Sequence, residues 1–129
     1  MANSKTLTAS HLRYLLTMKE LDNERGGVRC KDIAAALGLS KPSVHNMMDT
    51  FTEMGFISRN LYGIAYFTDA GYAIAEKYSK YYALVSEILE HSFPGLDNLQ
   101  MAACSLLSEI PEESLENLCS RKEEAGRSD

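Results

Sequence analysis

Between Lys31 and Asn46 the chain sets out side chains suited to a polyanion that bears hydrogen-bonding edges: Lys31, Ser40, Lys41, Pro42, Ser43, His45 and Asn46. Lysines and the free N–H groups of a helix start attract phosphate oxygens, small hydroxyls reach them, and an asparagine amide can pair twice with adenine, at N6 and N7. Arg59 and Tyr62 come later, adding a cation and an aromatic hydroxyl that suit a phosphate or the minor groove. This is the chemistry of reading double-stranded DNA. The residue patterns of catalysis are missing: there is no Gly-rich phosphate loop, no HExxH and no G-x-S-x-G. The glutamates at 112, 113 and 116 suit a solvated helix start better than acid–base work. The chain is therefore not expected to be an enzyme.

These side chains need two helices to position them. Ile33, Ala34, Leu37 and Leu39 put an apolar stripe on a short helix that Gly38 can end in a left-handed conformation. Ser40 then sits where an N-cap belongs, accepting from a backbone N–H near Ser43, and Pro42 is tolerated in the first turn. A second helix starts at about Lys41. Its buried face is Val44, Met47, Met48, Phe51 and Met54, and Lys41, Pro42, His45, Asn46, Asp49 and Glu53 lie opposite. Helix pairs of this kind also occur in bundles and repeat proteins, so the residues after Gly55 carry weight. Phe56 to Arg59 and Ile64 to Phe67 are β-prone runs separated by Asn60-Leu61-Tyr62-Gly63, a hairpin. Helix-turn-helix plus hairpin is a winged helix.

Ahead of the motif, Thr8 or Ser10 can cap a supporting helix with Leu12, Leu15, Leu16, Met18 and Leu21 on its apolar side, ending before Gly26-Gly27. Beyond the wing a tyrosine-rich helix runs from Thr68 or Asp69 to about His91. Its Ile74, Tyr78, Tyr81, Val85 and Ile88 have the four- and three-residue steps of a helix that packs along another, and dimer contact is the expected use. Phe93-Pro94-Gly95 breaks it, and two more helices are predicted at about 97–109 and 111–121. The expected organisation is a winged helix-turn-helix domain over 1–67, a helical dimerisation domain over 68–122, and a disordered tail over 123–129. The expected class is mainly α with a small β-hairpin wing.

A formal charge of −5 looks unsuited to DNA until it is divided. Residues 1–67 hold eight Lys and Arg against six Asp and Glu, whereas 68–129 hold five against twelve. The half with the motif is mildly basic, which predicts modest non-specific affinity and clear salt sensitivity. Arg13, Lys19, Arg25, Arg29, Lys31, Lys41 and Arg59 are its available phosphate contacts. No apolar run spans a bilayer and no charged-then-apolar leader precedes Leu7, so the expected compartment is the cytoplasm, with no membrane partner. Cys30, Cys104 and Cys119 are odd in number and widely spaced, which indicates neither a disulfide framework nor a cysteine zinc site.

The order of these elements, with the segments DIAAALGLSKPSVHNMM, MGFI, FTDAGYAIAEKY and PEESLENL, resembles the DtxR/MntR family of metal-dependent transcriptional repressors over about Leu7 to Leu118. The resemblance implies a winged helix joined to a helical dimerisation domain. It further implies a homodimer on a palindromic operator, DNA contacts at Ser40, Pro42 and Asn46, and a divalent manganese or iron cofactor. Here the chain departs from the family pattern. Arg13 and Leu16 stand at first-helix ligand positions, Tyr82 and Ser86 near those of the linking helix, and Leu107 and Ser108 where a Glu-His pair is implied, so Cys104 alone matches a ligand type. One thiol among leucine and arginine cannot supply the converging oxygen and nitrogen donors that such an ion needs. No cofactor is expected. Leu16, Tyr82 and Leu107 would instead make an apolar pocket, suited to plain packing or to a small-molecule effector, and His11 and His91 are read as surface residues. The expected function is a homodimeric DNA-binding regulator, a repressor, without the metal switch. The alternative is an interaction module or effector-binding regulator with weak DNA affinity, to which Asp49 and Glu53 on the exposed helix face give some weight.

Overall fold

Helix α1 (Ala9–Leu21) begins where Thr8 Oγ1 accepts from the backbone N–H of His11 at 3.1 Å, a hydroxyl cap that satisfies one of the orphan donors of a helix start. The computed structural model describes residues 7–127; the first six positions of the N-terminal domain and the last two of the tail lie outside the described residues. After α1 come β1 (Val28–Arg29), α2 (Cys30–Leu37), α3 (Lys41–Glu53), β2 (Ile57–Arg59), β3 (Ile64–Phe67), α4 (Asp69–Ser92), α5 (Leu99–Glu109) and α6 (Glu112–Arg127). The fold is mainly α: a winged helix-turn-helix followed by a helical domain. No helix among the described residues is long and apolar enough to cross a membrane.

Two compact units divide the chain: Tyr14–Glu76, and the residues up to Arg13 with those from Lys77 onward. The first two turns of α4 therefore belong with the wing, although the sequence puts the boundary at 67. The reason is a close approach at Gly71, where a Cβ would lie 1.9 Å from the carbonyl oxygen of Phe56. Thr68 fixes the same junction. Its hydroxyl donates to the Gly55 carbonyl at 2.7 Å and accepts from the Gly71 N–H at 3.0 Å, capping α4.

Within the Tyr14–Glu76 unit the core is built from Leu15, Met18, Ile33, Val44, Met48, Phe51 and Ile57, all essentially buried. Tyr14 meets the Phe51 ring edge-on at 6.3 Å. The sheet has the order β1-β3-β2, antiparallel throughout, with Val28 opposite Ala65 and Ile57 opposite Phe67. Strand β1 is an addition to the hairpin that the sequence predicts. It lies against β3 because Gly27 carries no side chain there: a Cβ would strike Ile64 and Tyr66 at 2.6 and 2.7 Å.

In the other unit Tyr81, Val85, Ala103, Cys104, Leu107 and Leu115 form the core. Tyr78 and Tyr81 pack edge to face at 5.0 Å, the Tyr81 hydroxyl donates to the Glu116 carboxylate, and Lys77 pairs with Glu112. The tyrosine seam is thus used differently from the expectation. Tyr78, Tyr81 and Val85 are buried within their own chain, Tyr81 bonded to Glu116 of α6, and Ile74 is half-buried; of the five residues only Ile88 is exposed. The last helix also continues to Arg127, past residue 122 where the sequence suggests that order ends.

Replacing Gly71 by Ala forces a methyl into the Phe56 carbonyl, an overpacking that cannot be relieved by rotating a side chain. Urea unfolding should show a loss of about 3 kcal/mol, the upper part of the range for overpacked sites. A variant as stable as the parent would show that the approach is not needed.

Candidate nucleic-acid interface

Helix α3 is presented by its cap and by its buried face together. Ser40 stands at the N-cap with φ −74° and ψ 155°, and its Oγ accepts from the Ser43 N–H at 3.2 Å and donates to the Ser43 hydroxyl at 3.0 Å. Gly38 ends α2 in the left-handed region, at φ 67° and ψ 35°, so the turn between the helices is as tight as the sequence suggests. Val44, Met48 and Phe51 are fully buried. That leaves Lys41, Pro42, Ser43, His45 and Asn46 exposed, together with Ser40 at the cap.

The wing is tied to this helix pair by backbone and amide hydrogen bonds. Asn60 Oδ1 accepts from the N–H groups of Tyr62 and Ile64, at 2.9 and 3.0 Å, which shapes the hairpin tip. Leu61 and Tyr62 project from it, 97% and 86% exposed. At the turn itself the Cys30 N–H, the first of α2, donates to the Gly63 carbonyl at 3.2 Å. Pairing of Arg29 with Ile64 in the β1–β3 ladder then sets Arg29 and Lys31 on either side of the same junction.

The result is an open cleft of about 230 Å³ lined by Arg29, Cys30, Lys31, Lys41, His45, Tyr62 and Gly63. Of the residues expected to contact DNA, the cleft brings together Lys31, Lys41, His45 and Tyr62. Ser40, Pro42, Ser43 and Asn46 lie on the cap and the exposed turns of α3, outside the lining. Arg59 is not in the cleft: its guanidinium pairs with Asp49 of α3. Three other cations expected to be available to phosphate are engaged within the protein. Arg13 Nε donates to Gln100 Oε1 at 3.1 Å, Lys19 lies over the Tyr72 ring at 5.9 Å, and Arg25 stacks on that ring at 4.7 Å while bonding Asp69 and the Phe67 carbonyl. Arg29, Lys31 and Lys41 form no ion pair among the described residues, and all three line the cleft. In the sequence Arg29 stands out only as one charge of several. The glycine pair before Val28 and the β-prone run at 64–67 are the signals that a strand would carry Arg29 to the wing.

The residues at the positions implied for a divalent ion do not fit one. Cys104 is completely buried, and burial pushes its thiol up to about 11 even with the opposing charge of Arg13 acting on it. One thiol in an apolar core brings no oxygen or nitrogen donors with it, and a guanidinium held by Gln100 repels a cation. His11 uses its Nδ1 to accept from the Thr8 N–H at 3.1 Å, and burial lowers its pKa. Leu107 is buried in the core and Tyr82 is half-buried. Among the described residues no three His, Cys, Asp or Glu side chains gather as a metal would require.

Comparison with known proteins bears on the segment from α1 to the wing and on the fold. Residues 13–61 match the family profile of the IclR helix-turn-helix domain, which is the segment from α1 to the wing tip. A hypothetical protein from Sulfolobus solfataricus has a similar structure, with a TM-score of 0.62 and 24% identity over 89% of this chain and 88% of that one. So does IdeR from T. acidophilum, with a TM-score of 0.63 and 18% identity over 94% of this chain and 55% of that one. The metal-dependent transcriptional regulator MtsR gives a TM-score of 0.69 and 18% identity, over 92% of this chain and 54% of its own. This chain thus spans about half the length of the last two. A search of the curated proteins finds no match. At these identities the structures share a fold, and the 13–61 segment is a helix-turn-helix domain.

Because the donor set does not fit a divalent ion, Mn²⁺ or Fe²⁺ should leave the melting temperature of the purified protein unchanged, and elemental analysis should find no stoichiometric metal. A bound metal with a stabilisation of several degrees would contradict this account.

Proposed function

We propose that this protein is a transcriptional regulator, a cytoplasmic homodimer of the DtxR/MntR kind, that represses by binding a palindromic operator. The observation that carries the proposal is the cleft in which Arg29, Lys31 and Lys41, paired with no carboxylate among the described residues, surround the start of an exposed, capped helix. A phosphate seated there would meet three cations, the Tyr62 hydroxyl, and the positive end of α3. With the backbone so held, α3 enters the major groove, and Asn46, with Ser40, Pro42 and Ser43 near it, faces base edges and sugar-phosphate. The wing tip at Leu61 and Tyr62 runs along the strand toward the minor groove.

Reading two half-sites requires two-fold symmetry. It is supported by the apolar surface that the helical unit leaves exposed: Ile88, at 48%, with Phe93, Leu96, Met101 and Leu106. A groove of about 410 Å³ between the ends of α4 and α6, floored by Leu84, Ile88 and Leu118, adds to that surface. The dimer contact in this proposal rests on these residues in place of the buried tyrosine seam. Divalent metal plays no part in the switch.

Titration of genome-derived DNA fragments at low and moderate salt tests the reading. Each phosphate contact contributes a slope of about −0.9 to the salt dependence, so Lys41→Ala should flatten it by about one unit for each protomer. Asn46→Ala should cost about 1–3 kcal/mol at one base pair and leave the slope unchanged. Binding that shows neither salt dependence nor sequence preference would remove DNA reading and leave the interaction module.

A further inference from the structure

The carboxylate of Asp49 occupies a place where a DNA-reading surface should not tolerate one. At about 100° per residue, Asp49 projects from α3 roughly 40° from His45 and about 60° from Asn46, between the two. It is exposed, as they are. An unpaired carboxylate there would face the phosphates and repel them. It is not unpaired: Arg59, where β2 meets the hairpin turn, donates through Nη2 to Asp49 Oδ1. The arginine side chain is 26% exposed and the aspartate 62%, so the cation is turned toward the protein and the carboxylate toward solvent. Glu53, one turn further on, has no such partner among the ion pairs of the described residues.

We infer that Asp49 is a base-reading residue of α3, its second oxygen accepting a hydrogen bond from the exocyclic amino group of a cytosine, and that Arg59 is a positioning residue acting through it. The inference rests on the DNA-reading proposal above. Cytosine N4 is the donor edge in the major groove that a carboxylate selects, while guanine O6 and N7 at the same place repel it. Pairing with Arg59 neutralises the charge that would otherwise oppose docking, and it also fixes the rotamer, so little side-chain freedom is lost on binding. Arg59 is thereby committed to the helix and contributes no phosphate contact.

The test is selection from a random-sequence duplex pool with the full chain, followed by salt titrations on the selected site. Wild type should select a cytosine at a position next to the one read by Asn46. Asp49→Asn should lower discrimination at that base pair about tenfold and leave other positions alone. Arg59→Met should relax the same position while lowering affinity for every sequence, since the carboxylate is left unpaired; circular dichroism melting should find both variants folded, since neither side chain is buried. A salt slope flattened by about one unit in Arg59→Met, with base preference intact, would make Arg59 a phosphate contact and overturn the inference. An even rise in affinity for all sequences in Asp49→Asn would also overturn it, since Asp49 would then merely repel DNA. Absence of any selected sequence with wild type would instead bring down the DNA-reading proposal, and this inference with it.

Discussion

Burial of Val44, Met48 and Phe51 on one side of α3 is the constraint on which the surface chemistry depends. Each such side chain contributes roughly 1.5–3 kcal/mol when removed from water, so turning the helix by one residue would expose most of that area. It would also bury His45 or Asp49 in an apolar core, at the cost of an unpaired polar group. The rotation of α3 about its axis is therefore fixed by hydrophobic packing, and the polar face is presented as a consequence. The Ser40 cap fixes where the helix begins and the Asn60 turn fixes where the wing tip lies. Neither sets which face looks outward.

Charge is then sorted by geometry rather than by composition. The chain carries −5 overall, and four cations of its N-terminal half are tied down within the protein: Arg13 to Gln100, Lys19 and Arg25 over Tyr72, and Arg59 to Asp49. Among the described residues of that half, Arg29, Lys31 and Lys41 are left, and they gather beside the start of α3. A small cluster of cations in a concave site acts more strongly on a phosphate than the same charges dispersed on a convex surface. An acidic chain can in this way present a basic reading head.

The helix-turn-helix was legible because its signals are local: a glycine in the left-handed region, a serine cap, and apolar positions at helical spacing. Thr68 as a cap and the hairpin turn at Asn60 were legible for the same reason. Strand β1 was not, since two residues have no periodicity, and its existence depends on a partner strand far along the chain. The tyrosine seam of α4 shows the converse limit. Spacing indicates that Tyr78, Tyr81 and Val85 face a packed surface, but a stripe of this kind cannot tell a helix of the same chain from that of a partner; here all three are buried within the chain and Tyr81 bonds to Glu116 of α6. Arg59 was legible as a cation near the wing; its pairing with Asp49 depended on how α3 and β2 come together.

In the proposed complex the cleft beside α3 holds DNA backbone while the polar face of α3 meets the bases. Amide chemical-shift mapping of the labelled full chain, titrated with a selected duplex at low salt, tests this arrangement most directly. Shifts are expected at Arg29, Lys31, Lys41, Ser43 to Asn46, Asp49 and Tyr62, diminishing together as salt is raised. Shifts confined to the exposed apolar residues between Ile88 and Leu106, with the cleft unaffected, would contradict that arrangement.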